Sequence, residues 1–270
     1  MTPKMVDPNE PVNSGIKSEE PKNQKPIDEG PIYMEIKGLP SKMKLYPKGT
    51  KIEGRPLKVL EVKRLAGITE ENSDAIINDI LRRTIKGIEI DNLLVSDKMY
   101  IIFWLRANTY RESGFGVPFT CGECGQDSNY EFTLDNLQIQ SLPDDFSINK
   151  TFINLKNGDK ISFHLPTIAD ERKSNRFKIA YANVIKELDD ELVNFAIMID
   201  SINEKELDII NKYNYLVDID PQIFSYLVTE LEKFDCGIKS YLEVKCDKCG
   251  GVGPVGITFR EDFFLPKYTS

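Results

Sequence analysis

An α+β fold is predicted for this 270-residue chain by three observations. Apolar residues recur at helical spacing in its first third, the pattern then alternates around two Cys-x-x-Cys-Gly turns, and a long mixed segment separates those turns. The expected architecture is helices plus two β-hairpins joined in a zinc-ribbon-like four-cysteine site, with a long hairpin and helical insertion between them. This divides the chain into a Pro-rich arm (1–31), a mostly helical part (32–115), two hairpins (116–135 and 240–262), the insertion (136–239) and a tail (263–270).

The elements follow in order. Pro3, Pro8, Pro11, Pro21, Pro26 and Pro31 break up a stretch of Lys, Glu, Asn and Ser with almost no large apolar residues. Such a segment cannot bury enough surface to offset its ordering entropy, so a flexible arm is expected. Its start lacks the basic region and apolar stretch of a secretory signal. Tyr33-Met34-Glu35-Ile36 reads as a short strand, followed by the turn-rich Gly38-Leu39-Pro40-Ser41. Leu57, Leu60, Val62, Leu65 and Ala66 fall near helical spacing. A second helix should begin at Asn72 or Ser73, carry Ile76, Ile77, Ile80, Leu81 and Ile85 on one face, and stop at Gly87. A third, capped by Ser96, is apolar nearly all round through Met99, Tyr100, Ile102, Phe103 and Leu105, which is the pattern of a central buried helix.

Strands are expected at 117–120 and 129–134, and again at 241–245 and 255–259. Between them, Asn157-Gly158 joins two apolar runs and predicts a hairpin with a two-residue type I′ turn. Helical patterns dominate from 169 to 234, and Asp220-Pro221 is a cap followed by an N1 proline.

The cysteines carry the most chemistry. Cys121/Cys124 and Cys246/Cys249 form two pairs, each followed by glycine and each at the bend between strand-like runs. Two intervening residues let a tight turn aim both sulfurs at one point, and the glycine can take the left-handed conformation such a turn needs. Two facing turns would supply four thiolates in a tetrahedron, the geometry of a closed structural zinc site. The pairs are separated by 121 residues, far more than the roughly 15–20 of a compact ribbon. Disulfides and a redox pair compete with zinc, but a redox pair does not explain why the unit occurs twice. Cys236 lies outside both turns and is expected to be a buried thiol.

Other signals point away from catalysis. His164 is the single histidine, so most imidazole chemistry is excluded, and its place between Phe163 and Leu165 suits a structural role. Gly251-Val252-Gly253-Pro254-Val255-Gly256 matches a dinucleotide-loop string, but it follows a cysteine turn, contains proline and leads into a strand. Asp170-Glu171 and Asp189-Asp190-Glu191 read as acidic helix starts. A metal hydrolase conflicts with a saturated ligand set. No apolar run approaches the ~18 residues of a membrane span.

The net charge of −8 argues against a general nucleic-acid coat. Charge is uneven, however: nine basic and two acidic residues lie between Lys37 and Arg64, against thirteen acidic residues and three lysines between Glu187 and Asp235. Solvated faces, an intramolecular match and complementary docking surfaces are all open readings. A nucleic-acid-binding ribbon protein using 37–64 is the alternative function, though Tyr46 alone is poor support for base stacking.

Several stretches together resemble the baseplate hub protein family of T-even-type contractile-tailed bacteriophages. They are Gly38-Leu39-Pro40-Ser41, Tyr46-Pro47, Arg55-Pro56-Leu57 and Leu105-Arg106-Ala107-Asn108-Thr109-Tyr110 leading into the first CxxC. Leu142-Pro143-Asp144-Asp145-Phe146, Ile161-Ser162-Phe163-His164-Leu165-Pro166 and Asp170-Glu171 follow. The resemblance spans about residues 32–172 and implies a non-enzymatic tail component or assembly factor. Such a protein is made in the bacterial cytoplasm and works through other baseplate proteins. A reducing cytoplasm also favours zinc on Cys121, Cys124, Cys246 and Cys249 over disulfides.

Overall fold

The structure, a computed structural model, describes residues 30–69, 72–111, 114–146, 151–257 and 261–265. The chain divides into two units, Met1–Ile32 and Tyr33–Ser270. The expected arm falls in the first, where residues 1–29 lie outside the described residues. All elements below belong to the second.

The chain starts with β1 (Met34–Glu35) and β2 (Glu53–Gly54), followed by α1 (Val59–Ala66), α2 (Ser73–Thr84) and β3 (Ile85–Lys86). The three strands form an antiparallel sheet in the order β1-β2-β3. Ile85 was expected on the α2 face, but it is extended and pairs with Gly54. Gly87 therefore turns the chain after a strand, at φ +90°, instead of ending the helix. In α1, Val62 and Leu65 face the core as expected, whereas Leu60 is 67% exposed. The bidentate Arg55–Glu61 pair fixes that face, with both carboxylate oxygens held within 2.9 Å.

Next comes α3 (Val95–Thr109), whose residues Tyr100 to Arg106 are all buried, in keeping with its all-round apolar pattern. It begins one residue before the expected cap. Leu94 is the N-cap, and the Val95 N–H donates to the Pro166 carbonyl. With that donor satisfied from another part of the chain, Ser96 is released from capping and accepts instead from the Cys236 thiol at 3.3 Å. Asp97 is fully buried in the first turn, accepts from the Ser41 N–H, the Ser41 hydroxyl and Tyr46 Oη, and so anchors the 38–46 turn region. Burial raises its pKa against those hydrogen bonds.

The chain then forms β4 (Phe115–Thr120), β5 (Asp127–Phe132) and β6 (Ile139–Gln140). β7 (Phe152–Asn154) and β8 (Lys160–Phe163) precede α4 (Ile168–Tyr181), α5 (Asp190–Met198), β9 (Ile199–Ile202) and β10 (Lys205–Glu206). α6 (Ile209–Asp218), α7 (Pro221–Glu232), β11 (Gly237–Ile238), β12 (Tyr241–Lys245), β13 (Val252–Gly256) and α8 (Glu261–Phe264) complete it.

Two features correct the sequence expectation here. The β7–β8 hairpin exists, but Leu155 and Asp159 close a three-residue loop in which only Gly158 has positive φ, a type I turn ending in a left-handed glycine. The type I′ conformation belongs to Asn203-Glu204, with φ of 52° and 64°, between β9 and β10. Those two strands interrupt the region expected to be helical and extend the sheet to β10-β9-β8-β7. The apolar run around Ile197 to Ile202 is too short for its period to separate helix from strand, and pairing with β8 decides it.

The buried side chains form two cores. One joins α1–α3, both cysteine hairpins and Phe263 and Phe264. The two phenylalanines, placed by the sequence in a tail, are buried, and the Phe263 carbonyl accepts from Arg106 Nε at 2.6 Å. The other core packs the four-stranded sheet against α4–α7. A bridge between Leu94 and Thr167, the Arg172–Asp91 pair and the Lys98–Glu171 pair connect them.

Candidate metal centre

Each CxxC occupies the six-residue connection of a two-stranded antiparallel hairpin. In the first, Thr120 pairs with Asp127 and the connection runs from Cys121 to Gln126. In the second, Lys245 pairs with Val252 and the connection runs from Cys246 to Gly251. The expected strand 241–245 is observed with those bounds and 117–120 lies within β4, whereas 129–134 and 255–259 are displaced toward the turns by two and three residues, and 258–259 lie outside the described residues.

The two turns have the same hydrogen bonds. The Cys121 N–H donates to the Gln126 carbonyl and the Gly125 N–H to the Cys121 carbonyl, both at 2.9 Å. Cys246 and Gly250 repeat this at 2.8 Å. Gly125 and Gly250 sit at φ +66° and +78°, the left-handed conformation anticipated for the residue after each CxxC. Glu123 of the first turn lies against Gly251 of the second, where a Cβ would meet its carboxylate, so the turns face one another.

The facing brings four sulfurs together. Cys121 Sγ is 3.6 Å from Cys249 Sγ, Cys124 Sγ is 3.7 Å from Cys246 Sγ, and all four lie within 4.8 Å of one another. These contacts are far longer than the ~2.05 Å of a disulfide. They match the roughly 3.8 Å edge of a tetrahedron with metal–sulfur bonds of about 2.3 Å. Cys121 and Cys246 are buried and belong to the first core, while Cys249 is exposed.

Electrostatics also favour a cation. The Cys124 and Glu123 N–H groups aim at Cys121 and bring its thiol down to about 7. At Cys249 the Gly251 N–H lowers the thiol, but Cys124, Cys121 and Cys246 outweigh it and push it up to about 12. Four sulfurs this close cannot all ionise unaided, whereas a divalent ion at their centre would stabilise the thiolates. The donor set is sulfur only, suited to a soft or borderline metal such as zinc, and four protein ligands fill its tetrahedral shell.

Residues the sequence considered less important are also placed. Cys236 is buried, and burial pushes its thiol up to about 11. His164 lies between Asp200 at 2.6 Å and Asp170 at 3.2 Å, and Asp170 also caps α4 through Thr167. Asp189 caps α5 and Asp220 caps α7, so these carboxylates do act at helix starts. Gly251 to Gly256 enters β13 and opens no helix. Sequence reasoning missed Lys98, 2% exposed and paired with Asp74 and Glu171. The available signal was its position in a helix with no polar face.

Within the basic stretch, Lys37, Lys42, Arg55 and Arg64 pair with Glu35, Asp144, Glu61 and Asp79. These partners lie outside 187–235, and the acidic segment is not the intramolecular match of the basic stretch among the described residues. Among them, too, no helix is long and apolar enough to cross a membrane.

No curated protein and no solved structure matches the chain. A family model described as T4 bacteriophage base plate protein matches residues 34–265, which takes in both cysteine turns and both cores. The chain belongs to the T4 bacteriophage base plate protein family.

Proposed function

We propose that this baseplate protein is a non-enzymatic structural or assembly component of the tail baseplate hub, stabilised by zinc on Cys121, Cys124, Cys246 and Cys249 and acting through contacts with other tail proteins. The convergence of four sulfurs within 4.8 Å of one another from turns 121 residues apart carries the zinc part of this reading. A bound zinc ion would polarise and hold the thiolates. The chain's own turns position the sulfurs, and Glu123 and Gly251 bring the hairpins into register. With every ligand position filled from the protein, the ion has no open site for substrate, so its role is to cross-link. A reducing cytoplasm during assembly keeps the thiols available for metal.

The nucleic-acid alternative loses ground because much of the basic stretch is engaged internally. Arg55 is buried against Glu61, and Lys44 Nζ donates to the Pro143 and Asp144 carbonyls. Two measurements test the proposal. Metal analysis of chain purified without chelator should return one zinc per chain. Mass spectrometry should find the chain in baseplates, or in baseplate intermediates from infected cells. Zinc near zero removes the first part, and absence from every tail assembly removes the second. Salt-sensitive gel-shift binding to DNA or RNA would favour the alternative.

A further inference from the structure

A groove of about 460 Å³ opens where the two cores meet. Met99 of α3, Phe195 and Met198 of α5 and Leu231 of α7 give it an apolar floor. Methionine adapts its shape to what it contacts, and this volume accommodates more than one bulky side chain. The lining also includes three exposed carboxylates, Glu191, Glu232 and Asp235, and no Lys, Arg or His. Two lysines next to these carboxylates in sequence or space are themselves paired, Lys178 with Asp190 at 3.1 Å and Lys233 with Glu230 at 2.6 Å, and Lys239 lies over the Tyr241 ring. Apolar floor and one-signed rim together select an occupant that is apolar in the middle and basic at its flanks.

We propose that this groove docks a segment of a neighbouring tail protein bearing bulky apolar side chains flanked by lysine or arginine. That the neighbour is a tail protein rests on the function proposed above; the chemistry of the segment rests on the groove. Charge complementarity is the reason for choosing a basic segment. Glu191, Glu232 and Asp235 remain comfortably solvated without it, but they would repel an acidic one.

The test uses the full chain and two short fluorescein-labelled peptides with leucine and phenylalanine at helical spacing, one with lysines at the remaining positions and one with glutamates. Anisotropy should show the lysine peptide binding at least about tenfold tighter at low salt, with the preference shrinking as salt rises. The double variant Glu191→Lys/Glu232→Lys should abolish or invert the preference. An equal charge change outside the groove, Glu206→Lys/Asp218→Lys, should leave it. Val228→Trp, which fills the groove, should weaken the lysine peptide; circular dichroism verifies that each variant is folded.

Equal affinity for the two peptides overturns the proposal, as does a folded groove variant that binds like wild type. Binding that appears only after deletion of residues 1–29 would make the chain's own arm the occupant, and a dimer dissolved by Val228→Trp would make it a second copy. Either result overturns the proposal. Absence of the chain from baseplates with the peptide preference intact would defeat the baseplate-hub reading and leave the groove's chemistry standing.

Discussion

Removing the proposed zinc cross-link should destabilise the first core far more than the second. The structure supplies the magnitude. Cys124 and Cys246 are separated by 121 residues, and tying such a loop in the unfolded chain is worth about 5 kcal/mol by the chain-entropy relation used for disulfides. Over a urea slope of about 3 kcal/mol/M, that loss moves the unfolding midpoint down by roughly 1.7 M. Trp104 is the chain's single tryptophan and is buried in the core that contains both hairpins, so its fluorescence reports the affected part. Urea titrations before and after chelation should differ by about that shift. Cys246→Ser should reproduce it and respond no further to chelator. Cys236→Ser changes a thiol bonded to Ser96, outside the four-sulfur cluster, and should retain zinc. An unchanged midpoint after chelation of a zinc-loaded chain would refute the cross-link argument, as would equal zinc loss in Cys236→Ser.

Three other outcomes are expected. Glu171→Gln leaves the buried Lys98 ammonium with Asp74 alone and should cost about 2–3 kcal/mol in denaturant unfolding, whereas Lys98→Met, which removes the charge itself, should cost less. Hydrogen bonding to Asp170 and the charge of Asp200 raise the pKa of His164 above 6.5, so its contribution is fully present below 6.5 and lost as pH rises through the folded value; Tm scans should show this pH-dependent loss in wild type and not in His164→Asn. Gly87→Ala puts a Cβ onto the Lys51 carbonyl at φ +90° and should cost more than about 2 kcal/mol, whereas Gly158→Ala, at φ +93° with open space around it, should cost about 1 kcal/mol; paired melts check the difference.

Local chemistry was most legible where it needs only a few adjacent residues. Cys-x-x-Cys-Gly names its own candidate ligands and turn, because two sulfurs with two residues between them and a left-handed glycine are consequences of short-range geometry. The same holds for Asp220-Pro221 at the start of α7 and for α3, whose continuous apolar surface leaves it no solvent face. Boundaries were less legible. Ser96 has the right chemistry for a cap, yet the Pro166 carbonyl and Tyr46 hydroxyl serve the start of α3 instead. Asn157-Gly158 suits a type I′ turn, yet the register of β7 against β8 makes it part of a three-residue loop.

The sequence by itself therefore determined the α+β class, the four cysteines that converge and the family to which residues 34–265 belong. Only the tertiary structure decided that Ile199 to Ile202 is a strand, that Lys98 and Asp97 are buried, that Phe263 and Phe264 are core residues, and that an acidic-rimmed groove opens between two cores. The physical reason is range. Turn conformation and ligand spacing are set by neighbours along the chain, whereas strand identity, the burial of a charge and the shape of a groove depend on partners tens or hundreds of residues away. Glu171 meets Lys98 across 73 positions, and Phe263 meets Arg106 across 157.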